Sequence, residues 1–125
     1  MKVTRKILIV EDEKTLSDIV EEEFDSMGFD AMVAGDGELA LKFIRTFDPD
    51  LILLDLVLPK KGGFDVLKEL KEDAALKTIP VLILSNLSTP ETIRRAMILG
   101  AEDYFVKTEV HLFDVINRVK KRLER

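Results

Sequence analysis

The sequence predicts an α/β domain in which a doubly wound, five-stranded parallel sheet carries five helices. Five short apolar segments alternate with five segments whose apolar residues recur at helical spacing, and only a few residues connect one segment to the next. Three of the apolar segments are apolar without interruption, as strands buried on both faces of a parallel sheet are. The 125 residues are expected to form one domain, spanning residues 1–125.

The first half of the chain contains three predicted strands and two predicted helices. In order, these are a strand at residues 6–10, a helix at about 14–27, a mixed strand at 29–34, a helix with apolar positions between 39 and 47, and a strand at 51–54. The first helix is predicted from an apolar stripe formed by Leu16, Ile19, Val20, Phe24 and Met27. Gly28 should end this helix, and Asp36 should cap the next one.

The second half contains two strands between three helices. The predicted elements are a helix at about 63–73, a strand at 79–84, a helix from 89 to 99, a short mixed strand at 101–106 and a helix at about 110–123. Thr89 supplies a capping hydroxyl, and a proline stands at the first helical position after it. The inner face of this fourth helix is assigned to Ile93, Ala96 and Met97, and Gly100 should end it.

The strand order is predicted from the apolar character of each strand. The first, third and fourth strands are uniformly apolar and should be central, whereas the second and fifth are mixed and should lie at the edges. This distribution matches the flavodoxin-like order 2-1-3-4-5.

Composition and charge exclude several classes of protein. Because the chain has no cysteine, it can form neither a disulfide nor a thiolate metal site. A net charge of −5 argues against a nucleic-acid surface, so the chain is not expected to bind DNA by itself. No apolar run approaches the roughly 20 residues of a membrane span, and the apolar run after the basic start is too short for a signal peptide. The chain is therefore expected to stay in the cytoplasm, away from membranes.

Chemically useful side chains follow four of the predicted strands. Glu11 and Asp12 follow the first strand, Asp55 the third, Ser85 the fourth and Lys107 the fifth. Because the first and third strands should be neighbours, the three carboxylates should converge at the carboxyl edge of the sheet. They would repel one another unless a cation lay among them, and oxygen ligands without histidine or cysteine suit Mg²⁺.

Such a site would serve the transfer of a phosphoryl group onto Asp55, since this reaction depends mainly on neutralising the charge of the phosphoryl oxygens. Taken singly, each residue has an ordinary alternative. Glu11 and Asp12 could be acids of a first helical turn, Ser85 a strand-end cap and Lys107 a solvated lysine. A chance meeting of all of them at one sheet edge is much less expected.

Four segments together resemble the receiver domain of bacterial two-component response regulators. They are residues 6–13 (KILIVEDE), 55–63 (DLVLPKKGG), 84–85 (LS) and 100–107 (GAEDYFVK), which lie in order at the expected strand ends. The resemblance spans the whole chain and is to the form made familiar by the stand-alone chemotaxis regulator. It implies a phosphorylation-activated switch of a two-component phosphorelay, not an enzyme beyond its own phosphorylation and dephosphorylation.

The resemblance also implies roles for individual residues. Asp55 would accept the phosphoryl group, and Lys107 would contact it. Ser85 would be the switch hydroxyl and Tyr104 the switch aromatic residue. The Mg²⁺ ligands would be the side chains of Glu11, Asp12 and Asp55 and the backbone carbonyl of Val57.

Two classes of partner follow from the resemblance. The phosphoryl donor would be a histidine kinase or a phosphotransfer protein. The activated domain would then bind a downstream protein target through the face formed by the fourth helix, the fifth strand and the fifth helix.

Two departures from the family pattern concern the metal site and its rim. The acid pair Glu11–Asp12 stands where Asp–Asp is also common, and it should still bind Mg²⁺, directly or through water. Val57 and Leu87 place apolar side chains at two rim positions where polar residues often act on the attacking water.

A third departure follows the fifth strand. Thr108 stands after Lys107, where the family usually has proline, often in cis. Without proline a cis bond costs about 3–4 kcal/mol rather than roughly 0.5–1. The sequence thus predicts a trans Lys107–Thr108 bond, with Lys107 still reaching Asp55 and the Thr108 hydroxyl capping the last helix near Val110 or His111.

Two other functions are compatible with the fold. A flavin-binding module could use the same sheet edge, but the first loop is acidic where a phosphate-binding loop would be rich in donors. A hydrolase could use Asp55 as its nucleophile, but Val57 stands two positions later where an acid–base residue would be needed.

Overall fold

Strands and helices alternate along residues 4–124, the part of the chain that the computed structural model describes. The strands are β1 (Lys6–Val10), β2 (Asp30–Ala34), β3 (Leu51–Leu54), β4 (Val81–Ser85) and β5 (Asp103–Val106). The helices are α1 (Lys14–Ser26), α2 (Gly37–Phe47), α3 (Gly63–Glu72), α4 (Pro90–Leu99) and α5 (Leu112–Leu123). None of these helices has the length and apolar character needed to cross a membrane.

The strands form one parallel sheet in the order β2-β1-β3-β4-β5, which confirms the predicted order. Every residue of β3 and β4 is buried, whereas β2 and β5 are mostly half-buried. The central strands are uniformly apolar because helices cover both of their faces.

Alternate residues of the central strands point to opposite faces, so the sheet separates two apolar cores. Leu8 and Ile52 face α2, α3 and α4 on one side, and Ile9 and Leu53 face α1 and α5 on the other. The two-residue period of a strand thus assigns each side chain to one helical layer. Each strand is followed by a helix, so the loops from strand to helix all lie at the carboxyl edge of the sheet.

The helix ends follow the predicted capping chemistry. The Asp36 carboxylate accepts a hydrogen bond from the Leu39 amide (2.8 Å), and the Thr89 hydroxyl accepts one from the Thr92 amide (3.3 Å). Gly100 ends α4 with a left-handed φ of 116°, which glycine adopts without the cost that a Cβ would bring.

Two residues predicted to face the core are exposed. Ile19 is 46% exposed because it lies beside the inward-facing residues of α1, which are Ser17, Val20 and Phe24. Met97 is 41% exposed, and Ala96 is the buried residue of α4. The edge strand β5 offers α4 less apolar surface than a central strand would, so the apolar face of α4 is only partly covered.

Two ion pairs join α5 to the edge strand β5 and to the residue before it. Arg118 donates to Asp103 (3.1 Å), and Arg122 makes two contacts to Glu102 (2.7 and 3.1 Å). Hydrogen bonds from Arg122 lower the pKa of the Glu102 carboxyl. The charges at the start of the edge strand are therefore held by the helix beside it.

Gly63, at the start of α3, packs directly on the chain that leaves β3. Its amide donates to the Leu56 carbonyl (3.0 Å). A Cβ at this position would overlap the Asp55 carbonyl oxygen and the Leu56 Cα, and it would lie 3.0 Å from the Asp55 carbonyl carbon. Glycine is therefore required here by the close approach of two backbone segments. The neighbouring Gly62 has no such constraint, since its nearest contact is 4.0 Å away.

Gly63→Ser should destabilise the fold by about 1–3 kcal/mol, since the overlapping atoms are backbone and the core has little room to adjust. Gly62→Ser adds the same atoms at the N-cap of α3, where a serine side chain can accept a helix amide, so it should be neutral or stabilising by a few tenths of a kcal/mol. Urea denaturation of both variants measures the difference. Equal free energies of unfolding would contradict the close approach at Gly63.

Candidate functional site

Three carboxylates meet at the carboxyl edge of the sheet, where β1 and β3 end side by side. Glu11, Asp12 and Asp55 each place one oxygen within 4.8 Å of the others. Glu11 and Asp55 are each only 4% exposed, whereas Asp12 is exposed. The Asp55 amide donates to the Val10 carbonyl (3.0 Å), so hydrogen bonds between the strand ends bring these residues together.

Lys107, at the end of β5, links two of the carboxylates. Its ammonium lies 2.8 Å from Glu11 Oε1 and 2.8 Å from Asp55 Oδ2. Burial alone would lower the pKa of the Lys107 amine, but the hydrogen bonds to Asp55 and Glu11 outweigh burial and raise that pKa above its ordinary value. Lys107 therefore remains charged and provides the local counter-charge for the two buried acids.

The Lys107–Thr108 peptide bond is trans, as predicted. The long lysine side chain still reaches Asp55. The predicted capping role of Thr108 is wrong, because α5 begins at Leu112 and His111 is its N-cap residue, without a side-chain cap. Residues 107–110 form a turn in which the Glu109 amide donates to the Val106 carbonyl (2.9 Å), and this turn separates Thr108 from the helix.

The buried acids also accept hydrogen bonds from nearby backbone amides. Glu11 Oε2 accepts from the Glu13 amide and Asp55 Oδ1 from the Val57 amide, both at 3.1 Å. Burial raises the pKa of the Glu11 carboxyl, although its bonds to Lys107 and the Glu13 amide oppose that rise. Each carboxylate is thus oriented by one amide and one ammonium.

Ser85 and Tyr104 connect the carboxyl edge of the sheet to Leu87, in the segment that follows β4. Ser85 is fully buried at the end of β4, and its hydroxyl accepts from the Leu87 amide (3.4 Å). The Tyr104 hydroxyl donates to the Leu87 carbonyl (2.6 Å). Burial and then the negative charge of Asp55 raise the pKa of the Tyr104 hydroxyl, and a contact with Ser85 opposes this effect. Leu87 thus joins the hydroxyls of Ser85 and Tyr104.

The amides of Glu13 and Val57 and the carbonyl of Leu87 were not predicted as hydrogen-bond partners. They are backbone groups, which every residue carries, so no residue type marks them in a sequence. For the two amides the one available signal is their position two residues after Glu11 and Asp55, because short polar side chains often accept from the amide two residues on. The Leu87 carbonyl, which accepts from Tyr104, has no such signal.

The arrangement has the chemistry of a hard cation site beside a nucleophilic carboxylate. Three carboxylates offer oxygen atoms that could bind a cation, and no histidine or cysteine lies in the described cluster. One ammonium does not balance three negative charges, so a divalent cation or a charged ligand with its own cation would complete the site.

Comparisons with known proteins agree with this geometry. Residues 7–119 match the family described as Response regulator receiver domain. The probable transcriptional regulator ycf27 of Porphyridium aerugineum is 34% identical over 122 residues, which cover 93% of this chain and 50% of that protein. The chain spans about half the length of the curated relatives that it matches, so the stand-alone arrangement stays a prediction.

Two solved response regulators share the fold across nearly the whole chain. The phosphorylated cyanobacterial phytochrome response regulator RcpA is 34% identical, with a TM-score of 0.83 and coverage of 98% of this chain and 93% of that chain. The Mn²⁺-bound form of response regulator Rcp1 is 32% identical, with a TM-score of 0.80 and coverage of 94% and 90%.

These matches favour the signalling function over the flavin-binding alternative. Receiver domains of response regulators are signalling proteins rather than classical enzymes, and the family match extends over most of the chain. The chain belongs to the response regulator receiver domains, the phosphorylation-activated switches of two-component signalling.

Proposed function

We propose that Asp55 accepts a phosphoryl group from a phosphohistidine of a histidine kinase or phosphotransfer protein, in a reaction that requires Mg²⁺. The observation that carries this proposal is the environment of Asp55. It is a buried carboxylate at the edge of the central strand β3, beside two further acids and 2.8 Å from the Lys107 ammonium. The solved phosphorylated form of RcpA supports the extension to this chain.

The carboxylate cluster fits a divalent cation. Glu11, Asp12 and Asp55 would hold Mg²⁺ together with the backbone carbonyl of Val57, because hard oxygen ligands suit this ion and one ammonium leaves the acids incompletely neutralised. Bound Mg²⁺ would offset the negative charge of the transferring phosphoryl group. The Mn²⁺-bound form of Rcp1 supports a divalent cation in this family.

The residues around Asp55 fit a transfer that needs no general base. An oxygen of Asp55 forms a bond to phosphorus while the phosphorus–nitrogen bond of the phosphohistidine breaks, and the leaving imidazole takes up a proton from water. A carboxylate attacks through an oxygen that carries no proton, so the apolar Val57 beside Asp55 is no obstacle. Lys107 lies close enough to contact a phosphoryl oxygen from its position beside Asp55.

The signal would leave the site through Ser85, Leu87 and Tyr104. A phosphoryl group on Asp55 would attract the Ser85 hydroxyl. In the described structure this hydroxyl accepts a hydrogen bond from the Leu87 amide and contacts Tyr104. A shift of Leu87 would move the carbonyl that holds Tyr104. Lys107 needs no inward movement, because it already contacts Asp55. The expected change is therefore a population shift in the segment from β4 to β5.

The output surface would be the face formed by α4, β5 and α5. The exposed apolar residues Met97 and Ile98 lie on α4 beside this segment, and Ile98 is 78% exposed. A protein target that buries these side chains would bind one state of the segment better than the other, which is the requirement for a switch. With its net charge of −5, this chain alone is not expected to bind DNA.

Asp55→Asn should abolish phosphoryl incorporation from a small phosphodonor in the presence of Mg²⁺, because the amide is a poor nucleophile, while the fold is retained. Asp18→Asn is the matched control, since Asp18 is exposed on α1 and pairs only with Lys14 among the ion pairs of residues 4–124. Intact-protein mass spectrometry counts the phosphoryl groups. Normal incorporation in Asp55→Asn would remove Asp55 from the mechanism.

The affinity for Mg²⁺ should fall as the pH decreases. Burial raises the pKa of Glu11 above its ordinary value of 4.5, so this carboxyl takes up a proton at a higher pH than an exposed one and then loses its attraction for a cation. Calorimetric titration should give a dissociation constant that is steady at neutral pH and increases as the pH falls through the raised pKa. The glutamine side chain of Glu11→Gln does not titrate, so this variant should lose that part of the pH dependence. An unchanged pH profile in the variant would assign the pH dependence to another group.

Mg²⁺ with beryllofluoride, a mimic of the phosphoryl group, should change the amide NMR shifts of residues 85–88 and 103–107. The shifts are expected because the mimic would engage Ser85 and thereby move Leu87 and Tyr104. Asp55→Asn provides the baseline without a bound mimic, and Tyr104→Phe should reduce the response around residue 104 by removing the bond to Leu87. Spectra that stay unchanged over residues 86–107 would refute the proposed switch.

A further inference from the structure

The loop from Asp55 to Gly62, called the Asp55 loop below, contains a residue in an unfavourable backbone conformation. Lys60 has a φ of 67°, in the left-handed region that residues with a Cβ rarely adopt. Such a conformation persists only where the surroundings impose it. The loop contacts α2 on both sides of Lys60, through Pro59 and Lys61.

The N-terminus of α2 lies directly against the Asp55 loop. Gly37, the first residue of α2, is buried, and a Cβ there would overlap the Lys61 carbonyl oxygen and lie 2.7 Å from the Lys61 carbonyl carbon. The Gly37 amide is 3.5 Å from the Pro59 carbonyl oxygen. The neighbouring contact between Asp36 and Lys60 is long (3.9 Å) and the Lys60 side chain is exposed, so it adds little. The approach is therefore mainly between two backbone segments.

The opposite side of the loop is held by α3. Gly63 packs on the Asp55 and Leu56 backbone with equally little space, and its amide bonds to the Leu56 carbonyl. The Asp55 loop is thus enclosed between the first residues of two helices. Within it, the Val57 amide donates to Asp55 Oδ1, so the position of the loop affects the orientation of the carboxylate.

We propose that Gly37 is a positioning residue for the Asp55 site. By lacking a side chain, it lets the N-terminus of α2 contact the Asp55 loop and hold Val57 against the Asp55 carboxylate. A Cβ at residue 37 would push the loop away from α2. Asp55 itself would stay at the end of β3, because its amide bonds to Val10 and not to the loop. The displacement would thus act on Val57 and leave the contacts of Lys107 in place.

Two measurements on Gly37→Ala test this role, with Gly35→Ala as the matched control. Gly35 has open space around it, with nothing within 4 Å of a built Cβ. Hydrogen exchange without metal should show the Val57 amide exchanging about tenfold faster in Gly37→Ala than in Gly35→Ala, because its bond to Asp55 is weakened. The Mg²⁺ dissociation constant should rise by about tenfold in the same comparison, since a displacement of about 1 Å is costly where several groups must meet in one geometry.

The Mg²⁺ affinity measurement rests on the proposed function, whereas the hydrogen-exchange measurement does not. Failure of the wild-type chain to bind Mg²⁺ would overturn the proposed function and leave the exchange result to decide the role of Gly37. A folded Gly37→Ala whose Val57 exchange and Mg²⁺ affinity match those of Gly35→Ala would overturn the positioning role.

A pair of variants at Lys60 gives the answer should Gly37→Ala fail to fold. Lys60→Gly and Lys60→Ala remove the same charge, but only glycine accepts a positive φ freely and frees the loop. Lys60→Gly should therefore be the more stable protein in urea, yet bind Mg²⁺ about threefold more weakly than Lys60→Ala because the loop must be ordered on binding. If the loop had a purely structural role, the more stable variant would also bind Mg²⁺ more tightly. That result would refute the proposal.

Discussion

The ion pairs of one lysine with two buried acids hold the functional edge of this domain together. Lys107 extends from β5 to Glu11 after β1 and to Asp55 after β3, so a single ammonium links the ends of three strands. Two carboxylates buried this deeply would be strongly destabilising without a partner, since an unpaired buried charge costs about 3–5 kcal/mol. The parallel sheet brings the strand ends together, and the Lys107 ammonium offsets the negative charge of the two acids that follow them.

The order of the sheet and the meeting of its acids could be predicted because both depend on features that residue types reveal. Continuous apolar runs mark strands that are covered on both faces, and the strand order then determines that Glu11 and Asp55 are neighbours. The trans bond after Lys107 followed from the energetics of the peptide bond alone. The exposure of Ile19 and Met97 could not be predicted in this way, because it depends on how much of each helix the sheet and its neighbours cover.

The details of the site that sequence reasoning missed are contacts of the backbone. The Val57 amide and the Leu87 carbonyl orient Asp55 and Tyr104, yet their side chains have no part in these bonds. The same holds for Gly37 and Gly63, which appear in the sequence as turn and helix-start residues. Their close approach to the Asp55 loop depends on the distance between helices and loop, which only the folded chain defines.

The ion pairs of α5 with Glu102 and Asp103 affect how readily the edge of the sheet associates with other chains in a crowded solution. β5 is an edge strand, and such a strand presents unpaired backbone groups on which a strand from another chain could extend the sheet. Asp103 and Glu102 place carboxylates at the start of this strand, and Arg118 and Arg122 hold them there. An approaching strand would have to bury or displace these paired charges. The paired charges therefore protect the edge strand β5 against indiscriminate sheet-to-sheet association.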